Sequence, residues 1–213
     1  MTGAEATRGD EVGVAPTFSA AGLDGPAVFE VKLRVKDNNF AQNPLFVSDV
    51  VEATIQIANV VPVIALSGAA SVNEGATYTL TLSEITDPGP DTVTQWIVHW
   101  GDGTSDTYDS GGDKTHIYAD DNPTATASDP YTITVDLVDE DGLHGAAGTK
   151  AITVANVAPD LSGSVPELLA SKDQPVLLSI SFSDAATTAD SYTAVINWGD
   201  GTIVPGTVIE PSG

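Results

Sequence analysis

The stretch Trp-Gly-Asp-Gly-Thr stands twice in the chain, at Trp100–Thr104 and again at Trp198–Thr202. Each copy ends a run that alternates with period two, so Trp96, Val98 and Trp100 share one face of a strand, as do Ala194, Ile196 and Trp198. Gly-Asp-Gly then reverses the chain. Glycine reaches positive φ without a Cβ penalty, and an aspartate carboxylate bonds the backbone two residues on. Trp100, Gly101, Asp102 and Gly103, with Trp198, Gly199, Asp200 and Gly201, are therefore read as a structural motif: a large core aromatic followed by a tight turn. Asp102 and Asp200 are turn formers first. A device used twice makes the chain an array.

The rest of the sequence repeats in the same order. Phe29–Lys36 corresponds to Tyr131–Val138, the Asp37 turn to Asp139-Glu140-Asp141-Gly142, and Ala58–Pro62 to Ala155–Pro159. Asn59 to Asn156 is 97 residues and Trp100 to Trp198 is 98. A repeat of just under 100 residues with about seven strands has the length of an immunoglobulin-like sandwich. The fold class expected is all-β: tandem immunoglobulin-like sandwiches, one complete over 59–156 and two halves over 1–58 and 157–213. Val165–Ala170 is the one helix candidate, with a strand edge or loop as the alternative. Asn-Val-Val-Pro and Asn-Val-Ala-Pro leave no Gly/Ser linker at the junctions, which predicts a stiff rod.

Charge narrows the partners. Seven Lys+Arg against 30 Asp+Glu give a formal net charge of -23. Nucleic acid and anionic membrane surfaces need the opposite sign. The 213 residues include no cysteine, so a disulfide framework and Cys-ligated metals are excluded. No apolar run is long enough to be a transmembrane helix. The N-terminus lacks the basic and apolar regions of a signal peptide, so an exported protein would be represented here by a mature portion or a fragment. Arg8-Gly9-Asp10 is read as a chance tripeptide in an acidic loop.

With Trp100–Thr104, His116-Ile117-Tyr118 and Tyr131–Gly142 on one repeat, the chain resembles the PKD (polycystic kidney disease) repeat, and bacterial tandem arrays of it above all. The first segment departs from that pattern, with Thr17-Phe18 in place of His-x-Tyr and Asp37-Asn38-Asn39 in place of Asp-x-Asp-Gly. What the resemblance implies is an extracellular or cell-surface β-sandwich, seldom catalytic, that serves as a spacer, adhesion or polymer-contact module. It also implies calcium near the junctions in some members.

The residues themselves give catalysis little support. His99, His116 and His144 show no spacing that suggests a triad or a metal pair; His99 is expected to face solvent and His116 to pack. Calcium is the better site hypothesis, because hard cations take several oxygen ligands from loops. Asp139 and Asp141 flank Glu140 in one turn. Asp87 and Asp184 are corresponding loop acids, and Asn156 begins a repeat as Asn59 does. These five, Asp87, Asp139, Asp141, Asn156 and Asp184, are the metal candidates. The competing reading is that they are turn residues selected for Asx bonds.

Half sandwiches leave apolar strands uncovered. Val31, Leu33, Val35 and Ile55 at one end, with Ile180, Phe182, Ile196 and Trp198 at the other, are the expected assembly surface. Residues 157–213 of one chain would complete 1–58 of the next, a head-to-tail contact that makes a filament. The rival is an excerpt from a longer array, flanked by neighbouring modules. An adhesion or polysaccharide-binding spacer would need an exposed aromatic row, and Tyr108, Tyr118 and Trp96 are its only candidates, most of them better assigned to packing.

Overall fold

The computed structural model describes residues 17–33, 51–89, 91–121, 126–161, 167–186 and 190–209. The fold is all-β, and no helix occurs among the described residues. Among the described residues two strands precede the first junction, β1 (Ala27–Leu33) and β2 (Val51–Ile57), and pair antiparallel as a two-stranded sheet. Between the junctions lie β3 (Val63–Gly68), β4 (Ser71–Asn73), β5 (Thr77–Thr86), β6 (Gln95–His99), β7 (Ser105–Tyr108), β8 (Gly112–Ile117), β9 (Ser128–Asp139) and β10 (Gly142–Ala155). They form a three-stranded sheet in the order β3-β5-β8 and a five-stranded one in the order β4-β10-β9-β6-β7. Beyond the second junction β11 (Ala194–Asn197) pairs with β12 (Ile203–Gly206).

Alternation explains where the core sits. Along β9, Ile133, Val135 and Leu137 are wholly buried, while Thr132, Thr134 and Asp136 point the other way. β5 supplies Tyr78, Leu80 and Leu82 from the three-stranded sheet, and these meet Val98, Trp100, Ile152 and Val154 of the five-stranded sheet in one buried cluster. The Trp100 indole N–H donates to Asp106 Oδ2 at 2.8 Å, and the Tyr118 hydroxyl donates to the Trp100 carbonyl at 3.0 Å inside the core. A buried indole and a buried phenol thus keep their polar ends satisfied. Tyr118 is buried, and Trp96 and Tyr108, partly buried, pack against the same cluster.

The two Gly-Asp-Gly turns have the same geometry. Gly101 and Gly103 hold φ near 90° (90 and 91), and Gly199 and Gly201 hold 81 and 93. Asp102 Oδ1 accepts from the Thr104 N–H at 2.9 Å, and Asp200 Oδ1 from the Thr202 N–H at 2.8 Å. Trp100 donates to the Thr104 carbonyl and Trp198 to that of Thr202, both at 3.1 Å. The surroundings differ. Trp100 is 0% exposed and Trp198 45%.

Around the first turn His116 stacks on Trp100, with ring centroids 4.6 Å apart and planes 7° from parallel, and its Nε2 lies 2.7 Å from Asp102 Oδ2. Burial pushes the Asp102 carboxyl up, but the Thr104 hydroxyl and N–H and the His116 ring outweigh it and hold its pKa below the ordinary value. A carboxyl held low in the folded state adds stability above its unfolded pKa, and that stability is lost as pH falls through the folded value. Asp102→Asn is therefore expected to cost about 1–2 kcal/mol at neutral pH. It should also flatten the acid limb of a melting-temperature profile below about pH 4, and a variant whose profile overlays the parent's there would overturn this account.

The segment after the second junction is less regular than its alternation suggests. Leu178, Ile180 and Phe182 alternate as a strand would, yet 175–182 forms none, and the one bridge nearby joins Asp160 to Ser183. The described part of the helix candidate Val165–Ala170, residues 167–170, is not helical. Of the expected assembly residues, Val31 is 38% exposed, Ile180 43% and Trp198 45%. Ile55, Phe182 and Ile196 are half-buried, Phe182 lying edge-on to Tyr192 at 4.8 Å. Leu33 stands opposite Val51 in the β1–β2 ladder, and Val35 lies outside the described residues.

Candidate metal centres at the two junctions

Two groups of carboxylates gather where the chain enters and leaves β3–β10. At the first junction Asp87, Asp91 and Asp139 bring carboxylate oxygens within 4.8 Å of one another, and Asp24, Asp91 and Glu140 form an overlapping group. Asp87 and Asp91 come from the loop after β5, Asp139 and Glu140 from the β9–β10 turn, and Asp24 from the loop ahead of β1. Local bonds fix one oxygen of Asp87 and one of Asp139. Asp87 Oδ1 accepts from the Gly89 N–H at 2.9 Å, and Asp139 Oδ1 accepts from those of Asp141 at 2.9 Å and Gly142 at 3.2 Å. Asp87 Oδ2 is buried without a hydrogen-bond donor among the described residues, whereas Asp139 Oδ2 faces His144 and the Asp91 carboxyl faces that of Asp24.

Electrostatics there is repulsive. Asp91 is pushed up to about 7, first by sharing a hydrogen bond with the Asp24 carboxyl, then by burial and by the charges of Asp24, Asp87 and Asp141. Burial followed by the charges of Asp24, Asp139 and Glu140 raises Asp141. Asp139 goes the other way: burial pushes it up, but His144 and the N–H groups of its own turn prevail and hold it low. The His144 Nε2 stands 2.7 Å from Asp139 Oδ2.

The second junction is built around Glu74, which is 1% exposed in the β4–β5 turn. One triad joins it to Asp120 and Asp121 after β8, and another joins it to Asp184 and Asp190 beyond the junction. Glu74 Oε1 accepts from the Val157 N–H at 2.6 Å and Oε2 from that of Asp121 at 3.3 Å, so this side chain reaches from one side of Asn156 to the other. Gly75 sits so close to Ala185 that a Cβ on it would lie 3.0 Å from the Ala185 Cβ and carbonyl oxygen. Burial, then the charges of Asp120 and Asp129, raises Asp121; burial, then Asp120 and Asp184, raises Asp190. Burial also raises Glu74, against the bond from Val157.

Four of the five metal candidates from sequence thus fall on these clusters or beside them. Asp87 and Asp139 share the first, with Asp141 next to Asp139, and Asp184 belongs to the second. Asn156 instead lines a groove with Thr126, Asp190 and Tyr192, and its own N–H donates to the Ala127 carbonyl at 3.1 Å. Sequence reasoning missed Asp24, Glu74, Asp91, Asp120, Asp121 and Asp190. It also missed that every histidine faces an aspartate: His99 meets Asp136 at 2.9 Å, as His116 meets Asp102 and His144 meets Asp139. Compared with known proteins, the chain matches no protein-family model and no curated protein.

Proposed function

We propose that the chain is a non-enzymatic structural segment of an extracellular tandem array of PKD-like, immunoglobulin-like sandwiches, with segments 1–58, 59–156 and 157–213. In the reading offered, 157–213 of one chain completes 1–58 of the next, and the partner is the protein itself, head to tail. The observation that carries it is the unequal use of one device. Identical turns follow Trp100 and Trp198, but the first indole is fully buried and the second 45% exposed. β1–β2 and β11–β12 are also two-stranded ladders, and such ladders gain stability by acquiring further strands. Calcium is the cofactor in this reading, held at the first junction by Asp87, Asp91 and Asp139, because hard oxygen ligands without thiolates suit it.

Negative-stain microscopy with light scattering on the purified chain tests the assembly. Filaments with a repeat near two sandwich lengths, lost in Trp198→Ala, are the expected result. Monomeric particles at every concentration tried would overturn the self-completion.

A further inference from the structure

We infer that the second junction holds a divalent cation, calcium by its ligand chemistry, clamped between residues on both sides of Asn156. The ligands would be Glu74, Asp120 and Asp121 before the crossing and Asp184 and Asp190 after it. Such a site needs no filament and extends the calcium reading of the first junction to a second, separately testable place.

Two carboxylate triads meet there, with Glu74 common to both. Crowded acids alone would be unremarkable on so acidic a chain. What distinguishes this group is Asp121: the residue is 2% exposed, it groups with Glu74 and Asp120, and its Oδ2 is buried without a hydrogen-bond donor among the described residues. A buried carboxylate oxygen demands a compensating positive partner. Asp184 repeats the arrangement from the far side: its Oδ1 accepts from the Ala186 N–H at 3.0 Å, and its Oδ2 is buried with no donor among the described residues. The local turn thus consumes one oxygen of a residue that groups with Glu74 and Asp190 and leaves its other oxygen to the interior.

The repeat supports the same conclusion independently. Asp24 to Asp121 is 97 residues and Asp87 to Asp184 is 97, the spacing of Asn59 to Asn156. Asp24 meets Asp91 and Glu140 at the first junction, and Asp121 meets Glu74 and Asp120 at the second. One preceding-side acid and one following-side acid therefore recur in register at each crossing. Oxygen-only ligands on several loops favour calcium, which accepts six to eight irregularly placed oxygens, over magnesium, which demands a near-ideal octahedron. An ion there would fasten Glu74 and Asp121 to Asp184 and Asp190, and so fix the angle at which the chain leaves β10.

Calcium titration of the full chain in metal-free buffer, by calorimetry, tests this. Two binding events are expected. Asp121→Asn should weaken one of them at least tenfold and leave the other, which Asp91→Asn should weaken instead. Asp184→Asn with Asp190→Asn, on the less buried side, should remove the same event as Asp121→Asn. If Asp121→Asn fails to fold by circular dichroism, the Asp184/Asp190 double variant decides alone. A titration that neither variant alters overturns the second site, even where the first site still binds and filaments still form. Absence of the first event from the parent chain, with the second present, overturns only the earlier calcium assignment.

Discussion

Trp100→Ala is expected to unfold the β3–β10 segment or lower its melting temperature by more than about 12 °C, whereas Trp198→Ala should leave melting of the unassembled chain nearly unchanged. The indole of Trp100 is fully buried between the two sheets, and removing such a side chain costs about 3–5 kcal/mol through lost transfer energy and the cavity left behind. It also leaves Asp106 without the indole N–H and His116 without the ring it stacks on. With about 4–8 °C lost per kcal/mol in a domain of this size, the shift is large against ordinary marginal stability. Trp198 is 45% exposed, so truncation there should stay within about 1 kcal/mol. Thermal melts of the two variants followed by circular dichroism give the comparison. Equal losses would mean that the second Trp-Gly-Asp-Gly-Thr copy is as fully packed in solution as the first.

How much of this was legible before the structure depends on what each signal encodes. The all-β class follows from period-two alternation punctuated by Gly, Asn and Asp, and β1, β2, β6, β9 and β11 fall where that alternation runs. The turns were legible too, because Gly-Asp-Gly admits few backbone paths. Alternation failed at 175–182. Leu178, Ile180 and Phe182 have the pattern of β5 residues Thr77–Thr86, but β5 is flanked by β3 and β8 on its two edges, whereas among the described residues the only pairing beside 175–182 is the Asp160–Ser183 bridge. Pattern sets which face is apolar; a ladder partner decides whether a strand forms.

The acids divide in the same way. Asp87, Asp139, Asp141 and Asp184 could be picked out because each sits in a recognisable turn. Glu74 could not: its Asn-Glu-Gly context reads as one more turn, and only the meeting of the β4–β5 turn with Val157, 83 positions later, gives it a role. The 97-residue offset linking Asp24 to Asp121 was present in the sequence and would have found both. The His99–Asp136 pair needed register. His99 stands opposite Thr134 and Ile97 opposite Asp136, so the two side chains meet diagonally across β6 and β9.

The second large effect should come from a methyl group. A Cβ on Gly101 would lie 2.6 Å from the Thr132 carbonyl oxygen and 3.1 Å from its carbonyl carbon and nitrogen, all backbone of β9, at a φ of +90. Gly199 holds φ +81 with nothing within 4 Å of its added Cβ. Both substitutions to alanine carry the left-handed backbone cost of about 1–2 kcal/mol. Only Gly101→Ala must also push a strand aside, an overpacking cost of about another 1–3 kcal/mol. Denaturant unfolding of the unassembled chains should therefore rank Gly101→Ala well below Gly199→Ala. The ranking has a functional edge. If residues 1–58 of a second chain complete the sandwich around Trp198, the partner's strand takes the place that β9 holds against Gly101. Gly199→Ala would then acquire its clash only in the assembled state. Its penalty should accordingly grow with protein concentration, while that of Gly101→Ala stays constant; a Gly199→Ala penalty that is flat across concentrations at which the parent assembles would place the intermolecular contact somewhere other than this turn.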